Sequence, residues 1–434
     1  MNVPVALEAL DRSASIEQKW SRIPDCISGI LKAYGATGRP LLSFIASGFG
    51  ASLSLLESTD LLRVEFLTDV EQLSRIGDRW EALNRARGSD DVPFFQSFAW
   101  CRHVARVRLA AGSSRLRLSV AAVWRGDALI GVWPLVLVRT VGSWIARNLD
   151  DPFGQFAGVV AERSGDVAQI VESVMRALRP VADGMLIEAV IGGSALQKAM
   201  AQHGARSSFR QQAVFVDLHG YASFKDFEQD MKGDTRRRLR NRMKRLRQAF
   251  DVRHHVVTDR GRFEGILGAV YEGRRQWLLS SGRASPAFSD SAFKPLIDEL
   301  PVASGIELLG FVLALGDEEI SQHWGFIYAG RYYWYMSTLK EGYEQFSPGL
   351  LHLGMIIEGC IKRGLDGLEL MPPASRYKLE WSDQVRDVET MIIPFTLRGQ
   401  AVLRLDSDVI PAVRRLARAL PDAVRRPLAR LFTR

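Results

Sequence analysis

The sequence predicts an α/β (α+β) protein built as two similar units in tandem. Helical apolar stripes alternate with short β-rich runs joined by turn residues, as such a fold requires. A constant offset of 190 aligns Phe98 with Phe288, Gly126-Asp127 with Gly316-Asp317, and Ile130 with Ile320, which indicates an internal duplication. The chain has 434 residues, 47% apolar and 24% charged, so it exceeds one ordinary domain and has ample material for a core.

Residues 1–60 read as a poorly specified N-terminal extension. Residues 61–220 form the first unit, 221–250 a basic linker helix, 251–400 the second unit, and 401–434 a basic amphipathic tail. In the first unit Leu62–Phe66 predicts a strand, and Val70–Arg85 a helix with its stripe at Val70, Leu73, Ile76, Trp80 and Leu83. Ser97 caps a helix running to Ala110. Arg115–Arg125 and Ala128–Val138 predict a hairpin about Gly126-Asp127, and Val167–Leu178 a helix. Asp183–Val190 and Ala213–Leu218 predict strands.

The offset carries the helix Ala99–Ala110 onto Ser289–Leu300 and the strand Arg115–Arg125 onto Gly305–Leu315. In the linker, Asp234-Thr235 caps a helix whose apolar positions are Leu239, Met243, Leu246 and Phe250. Val252–Val257 and the helix Phe263–Ser281 open the second unit.

The stretch Gln322–Lys378 carries the chemistry. Gln322–Tyr328 and Tyr332–Thr338 predict a hairpin about Ala329-Gly330-Arg331. Ser347-Pro348-Gly349 then starts a helix over Leu350–Arg363, which Gly364 stops, and Leu365–Leu370 predicts the next strand. Ser347 is a good N-cap, Pro348 suits the first turn, and Gly349 lets a ligand approach the backbone. Free N–H groups at such a helix start make an anion site.

This arrangement, with Glu369-Leu370 followed by Tyr377-Lys378 and Trp381, resembles the GNAT acyltransferase superfamily. Within it the chain resembles the CelD-like branch tied to cellulose and exopolysaccharide synthesis, which is similar to the peptidyltransferases that add amino acids to cell-wall precursors. Glu369 stands where that branch has Asp, and Pro373 where it has glycine. The resemblance implies two tandem GNAT-like domains, each a mixed, mostly antiparallel sheet flanked by helices. It also implies an N-acyltransferase that uses acyl-CoA, with acetyl-CoA the expected donor, on an amine of an envelope or exopolysaccharide precursor.

Such a site needs amides for the pyrophosphate, a base for the incoming ammonium and an acid for the leaving thiolate. Ser347, Gly349, Leu350 and Leu351 are the candidates for the first, with Lys378 as a nearby cation. His323, Glu369 and His352 are candidate bases, and Tyr335, Tyr343 and Tyr377 candidate acids. Two other readings stay open: an aminoacyl-tRNA-dependent peptidyltransferase, and a non-catalytic GNAT-fold subunit of a polysaccharide synthase.

Charge is concentrated in two blocks. Lys232–Arg247 holds nine basic residues and one acid, and Arg414–Arg434 seven arginines and one acid, within a net charge of +8. Anionic partners follow: CoA phosphates, nucleotide-sugar, nucleic acid or a membrane surface. In the tail, Val413, Leu416, Ala417, Leu420, Val424, Leu428 and Leu431 recur at helical spacing while Pro421 and Pro427 interrupt it. Such a segment can lie on an anionic bilayer, which would make the enzyme peripheral at the inner face of the membrane.

Leu41–Leu56 is too short and too rich in Ser and Gly to be a span of about 18 apolar residues. Cys26, Cys101 and Cys360 lie far apart, without zinc spacing or a disulfide framework, so no metal is expected and a cytoplasmic setting is. The chain lacks Gly-Lys-Ser/Thr loops, His-Glu-x-x-His and Gly-x-Ser-x-Gly. A nucleotide hydrolase, a zinc protease and a serine hydrolase are thereby disfavoured.

Overall fold

The computed structural model describes residues 62–86, 94–405 and 407. The expectations for residues 1–60 and for the tail from Pro411 onward lie outside them.

The first half begins β1 (Arg63–Leu67), α1 (Val70–Arg75), α2 (Gly77–Ala86) and α3 (Phe98–Ala110). There follow β2 (Leu116–Leu118), β3 (Val120–Arg125), β4 (Ala128–Trp133), β5 (Leu135–Thr140), β6 (Ser143–Asn148) and β7 (Val160–Ala161). It closes with α4 (Val167–Leu178), β8 (Gly184–Ile191), α5 (Ala195–Gln202) and β9 (Arg206–Asp217). Two helices, α6 (Phe224–Asp230) and α7 (Gly233–Ala249), lead to the second half. That half begins β10 (Val252–Val257), α8 (Arg260–Ser281), α9 (Pro286–Ser289) and α10 (Phe293–Asp298). It continues β11 (Glu307–Leu315), β12 (Glu318–Tyr328), β13 (Arg331–Leu339), α11 (Pro348–Lys362) and β14 (Gly367–Glu369). It ends with α12 (Arg376–Leu379), β15 (Val385–Pro394) and α13 (Leu397–Arg404).

Local chemistry accounts for most of these boundaries. Ser97 Oγ accepts the Trp100 N–H at 3.3 Å and so caps α3. The helix predicted over Val70–Arg85 is two, because Ile76 leaves helical geometry (φ −103°) and ends α1 while its own side chain stays buried. The helix expected over Ser289–Leu300 is broken as well. Pro295 stands in the first turn of α10, and Pro301 in the short turn after it. Both Gly-Asp turns form their hairpins, β3 with β4 and β11 with β12.

A four-stranded sheet has the order β1-β3-β4-β7, and an eleven-stranded one β10-β11-β12-β13-β14-β9-β15-β8-β6-β5-β2. The first hairpin divides between the two sheets: β3 and β4 stay in the small one, β2 and β5 in the large one. Pro134, between β4 and β5, has no N–H to continue the ladder. Among the described strands pairing is antiparallel except β6 with β8 and β13 with β14, and one isolated parallel bridge joins Ala157 to Val190.

Each half gives its last strand to the other. β9 of the first half pairs with β14 of the second, and β15 of the second pairs with β8 of the first. β9 and β15 then pair with each other from Arg206 to Val214, so one sheet runs through both repeats. The described residues accordingly form one compact unit. Aromatic packing closes the seam. Phe94 stacks on Phe326 at 4.1 Å, and Trp100 meets Phe326 edge-on at 5.4 Å. Helix α8 buries Phe263, Ile266, Leu267 and Val270 in this shared core. The α11 face forms a separate core around Leu353, Ile356, Ile357 and Cys360.

One irregularity shapes the site. Between β12 and β13 the register slips so that Trp324 faces Met336 and Gly325 faces Trp334, which leaves Tyr335 as a bulge. A Cβ on Gly325 would lie 2.0 Å from the Tyr333 carbonyl oxygen. Gly325→Ala should therefore move the strand or abolish the bulge, at a cost of about 3 kcal/mol in urea unfolding. Wild-type stability in that variant would show that the bulge yields easily.

Candidate active site

β13 and β14 are paired only from Arg331 to Tyr333 against Gly367 to Glu369. β13 then continues to Leu339, and among the described residues no strand pairs with that edge of Trp334–Leu339. At about 3.3 Å per residue this is roughly 17 Å of free edge, open to an extended ligand by strand addition. At its far end Leu339 reaches the start of α11, where its Cδ2 would be 3.9 Å from a Cβ on Gly349. The slot thus runs from the Glu369 end of β14 to the Ser-Pro-Gly turn.

The turn is a sparser anion site than the sequence suggests. Ser347 takes a left-handed conformation (φ 54°, ψ 52°), and its side chain makes no cap hydrogen bond. Its carbonyl instead accepts the N–H groups of Leu350 at 3.1 Å and Leu351 at 3.2 Å. Both leucine side chains are buried. Pro348 has no N–H, so Gly349 keeps the first-turn amide still open to a ligand.

Cationic side chains compensate. The C-terminal half of α7 lies against this turn, with Phe250 meeting Phe346 at 5.3 Å and Tyr343 at 5.9 Å. Leu246 of α7 packs with Leu351 and Met355 of α11. This helix starts at Gly233, a little earlier than predicted. Asp234 makes no cap hydrogen bond and pairs with Arg237 at 3.0 Å. Glu228 takes Arg240, and Glu380 takes Arg238 and Arg242. Lys244, Arg245 and Arg247 are exposed and have no acidic partner among the described residues. An open groove of about 860 Å³ lies along this face, lined by Arg237, Arg238, Asn241, Arg242, Lys244 and Arg245. A charge run legible in the sequence thus lies beside the helix start, though nothing in the sequence shows that adjacency.

The candidate bases are buried. Glu369 is 2% exposed, and its Oε1 accepts from Arg386 at 2.9 Å and from Arg331 at 3.4 Å. Burial pushes its carboxyl up, against the two guanidiniums that pull it down. Both arginines also lie over the Phe215 ring, at 4.6 and 4.9 Å. Through Oε1, Glu369 thus serves as the hub of a four-strand clasp, while its Oε2 is buried with no hydrogen-bond partner. His323 is fully buried under Trp334, ring to ring at 3.6 Å, and burial holds its pKa well below the usual value. His352 receives or donates a 2.8 Å hydrogen bond at Ser321 Oγ and packs edge-on to His254 at 5.3 Å.

Two of the candidate acids are likewise committed. The bulge turns Tyr335 into the shared core, where its hydroxyl donates to the Phe153 carbonyl at 3.0 Å. Tyr343 donates to Glu318 at 2.6 Å. Tyr377, on α12, stays 36% exposed, and burial of the rest of the ring raises its pKa so that it remains a proton donor. Lys378 is not the mobile charge expected. It is 6% exposed and donates to the carbonyls of Met371 at 2.8 Å and Pro373 at 3.1 Å, bracing the loop after β14. Burial, then the nearby Arg274, lower its pKa to about 8. Trp381 ties this segment to the first turns of α11, its indole N–H on the Leu350 carbonyl at 3.1 Å and its ring against Gly354.

Residues 233–379 match the family model described as an acetyltransferase (GNAT) domain. FemX superposes with a TM-score of 0.54 over 79% of this chain and 99% of its own, at 10% identity. The chain has a GNAT-type fold. A tandem GNAT protein from the clavulanic acid biosynthesis pathway is similar over 77% of this chain and 99% of its own (12% identity, TM-score 0.47). A C-terminal domain (DUF2156) assigned to a lysylphosphatidylglycerol synthetase of Agrobacterium fabrum is similar over 78% and 96% (14% identity, TM-score 0.48). No curated protein matches the chain. The GNAT match covers the part that holds α7, the slot and Tyr377. No helix among the described residues is long and apolar enough to cross a membrane.

Proposed function

We propose that the protein is a GNAT-type N-acyltransferase whose donor, acyl-CoA with acetyl-CoA first in view, lies along the slot between β13 and β14. The observation that supports this most directly is the short parallel pairing that ends at Tyr333 and Glu369 while β13 runs on to the Gly349 turn. An extended arm along the β13 edge would place its phosphates near the Gly349 amide and the cations of α7. The acyl carbonyl would lie further along the β13 edge, within reach of Tyr377. Attack by a neutral amine forms the C–N bond and breaks the C–S bond. Tyr377 gives its phenol proton to the thiolate, and the proton shed by the nitrogen restores the phenol. The acceptor in this reading is an amine on an envelope or exopolysaccharide precursor, as the CelD-like resemblance implies, and the setting is cytoplasmic, peripheral at the membrane's inner face.

Calorimetry with acetyl-CoA and CoA tests the donor. Binding should weaken in Lys244→Gln/Arg245→Gln, and Tyr377→Phe should lower kcat about 100-fold at little change in KM. Failure of both ligands to bind at millimolar concentration would sink the CoA reading.

A second donor, aminoacyl-tRNA, is favoured by the amide-poor turn together with the long cationic groove along α7. Phosphate contacts would make its affinity fall steeply with salt. Filter binding that retains no tRNA, or retains it independently of salt, would remove this reading.

A further inference from the structure

Helix α8 ends near Tyr377 with cations that no acid among the described residues neutralises. The helix lies so close to β13 that a Cβ on Gly273 would be 2.2 Å from Thr338 Oγ1. Its next residue, Arg274, lies over the ring of Trp277 at 4.2 Å. Gly282 adopts the left-handed conformation (φ 62°), and Arg283 N–H returns to the Leu278 carbonyl at 3.0 Å. That reversal brings the Arg283 guanidinium over the same indole, at 4.9 Å. Trp277 is 36% exposed, as is Tyr377.

Neither Arg274 nor Arg283 has a carboxylate within ion-pair distance among the described residues. The acid on this turn, Glu272, is taken by Arg275 at 2.8 Å and Gln276 at 2.6 Å. Arg274 is close enough to Arg283, Tyr377 and Lys378 for their charges to act on one another. Two exposed guanidiniums held over one indole, beside the buried Lys378 ammonium, form a preorganised receptor for an oxyanion. This site is separate from the α7 cations: α8 packs into the shared core, whereas α7 packs on the α11 side through Leu246, Leu351 and Met355.

We propose that Arg274 and Arg283, positioned by Trp277 beside Tyr377 and Lys378, bind an oxyanion of the acceptor, so that the acceptor is an amine that also carries a phosphate or carboxylate. This rests on the acyltransferase reading for the word acceptor, but the anion site itself is measured without any donor.

Calorimetry on the full chain would compare phosphoethanolamine, β-alanine and ethanolamine, which share the amine and differ in the anion. Phosphoethanolamine or β-alanine should bind at least 10-fold more tightly than ethanolamine, and which of the two leads distinguishes phosphate from carboxylate. Arg274→Gln/Arg283→Gln should erase that preference, whereas Arg275→Gln, on the same helix but paired with Glu272, should keep it. Equal affinity for all three amines, or a preference that survives the double variant, would overturn the proposal. Loss of CoA binding in the double variant would give the pair to the donor instead and would equally overturn it. Intact anion binding without acyl transfer from acetyl-CoA to phosphoethanolamine or β-alanine would count against the acyltransferase reading alone.

Discussion

Glu369→Gln is expected to cost about 3 to 5 kcal/mol of folding free energy, the range for removing one partner of a buried ion pair. Its carboxylate joins residues from four neighbouring strands. Arg331 comes from β13, Glu369 from β14, Phe215 from β9 and Arg386 from β15. β9 and β15 are the strands exchanged between the halves, so the clasp sits where the two repeats are sewn together. Because burial already raises the carboxyl's pKa, the ion pair adds little net stability over an apolar cluster. The large cost comes from leaving Arg331, only 7% exposed, beside a group without charge. Glu369→Leu/Arg331→Met/Arg386→Met should therefore be more stable than Glu369→Gln. Urea unfolding measures both variants. A Glu369→Gln protein with wild-type stability and no acyl transfer would restore the residue to the role of base.

Acidification should produce the second large effect. His254, His323 and His352 face the α11 side of the sheet, and burial lowers all three pKa values, that of His254 to about 4. Above the unfolded value of about 6.5 they are neutral in both states and cost nothing. As pH falls below it, the unfolded chain takes up protons that the folded one refuses. Each histidine then removes up to about 1.4 kcal/mol per pH unit until its folded pKa is reached. The partly exposed His254 contributes less. Its charged neighbours are Glu358, which opposes the shift, and His255 and Lys362, which add to it. Lys378 adds to the shift of His323.

Asp150 works in the opposite sense. Burial raises its pKa to about 7, against the Trp100 indole N–H that pulls it down, so its contribution falls as pH rises from about 3.8 to 7. Asp150 offsets about one histidine, and Glu369, also raised, offsets part of another. The net expectation is a loss of about 1 to 3 kcal/mol per pH unit between pH 6 and 4.5. His323→Phe preserves the stack on Trp334 and should flatten that slope by about 1.4 kcal/mol per unit. Unfolding free energies that do not change between pH 7.5 and 5 would refute the account.

Local order in the chain is largely legible in the residues themselves. Ser97 capping α3, the two Gly-Asp hairpins and the helix after Ser-Pro-Gly depend on neighbours within a few residues, where propensity and hydrogen bonding act. The offset of 190 shows that the plan is repeated. The same local signals place the site in one stretch, between β12 and α12.

The roles of its residues are decided by partners distant in sequence, which no periodicity encodes. The Tyr335 hydroxyl meets Phe153, 182 residues away, because one bulge turns it into a core shared by both repeats. Glu369 and Lys378 read as reactive groups, yet both satisfy buried partners, since a charge taken out of water must be paired or hydrogen-bonded. The exchange of β9 and β15 is invisible for a related reason: their apolar patterns suit either sheet edge, and only the packing of the two halves together selects which. By itself the sequence determined most of the elements, the repeated plan and the stretch Gln322–Lys378 in which the site lies. The tertiary structure decided which polar groups that slot can use, because burial and pairing are properties of the surroundings rather than of the residue.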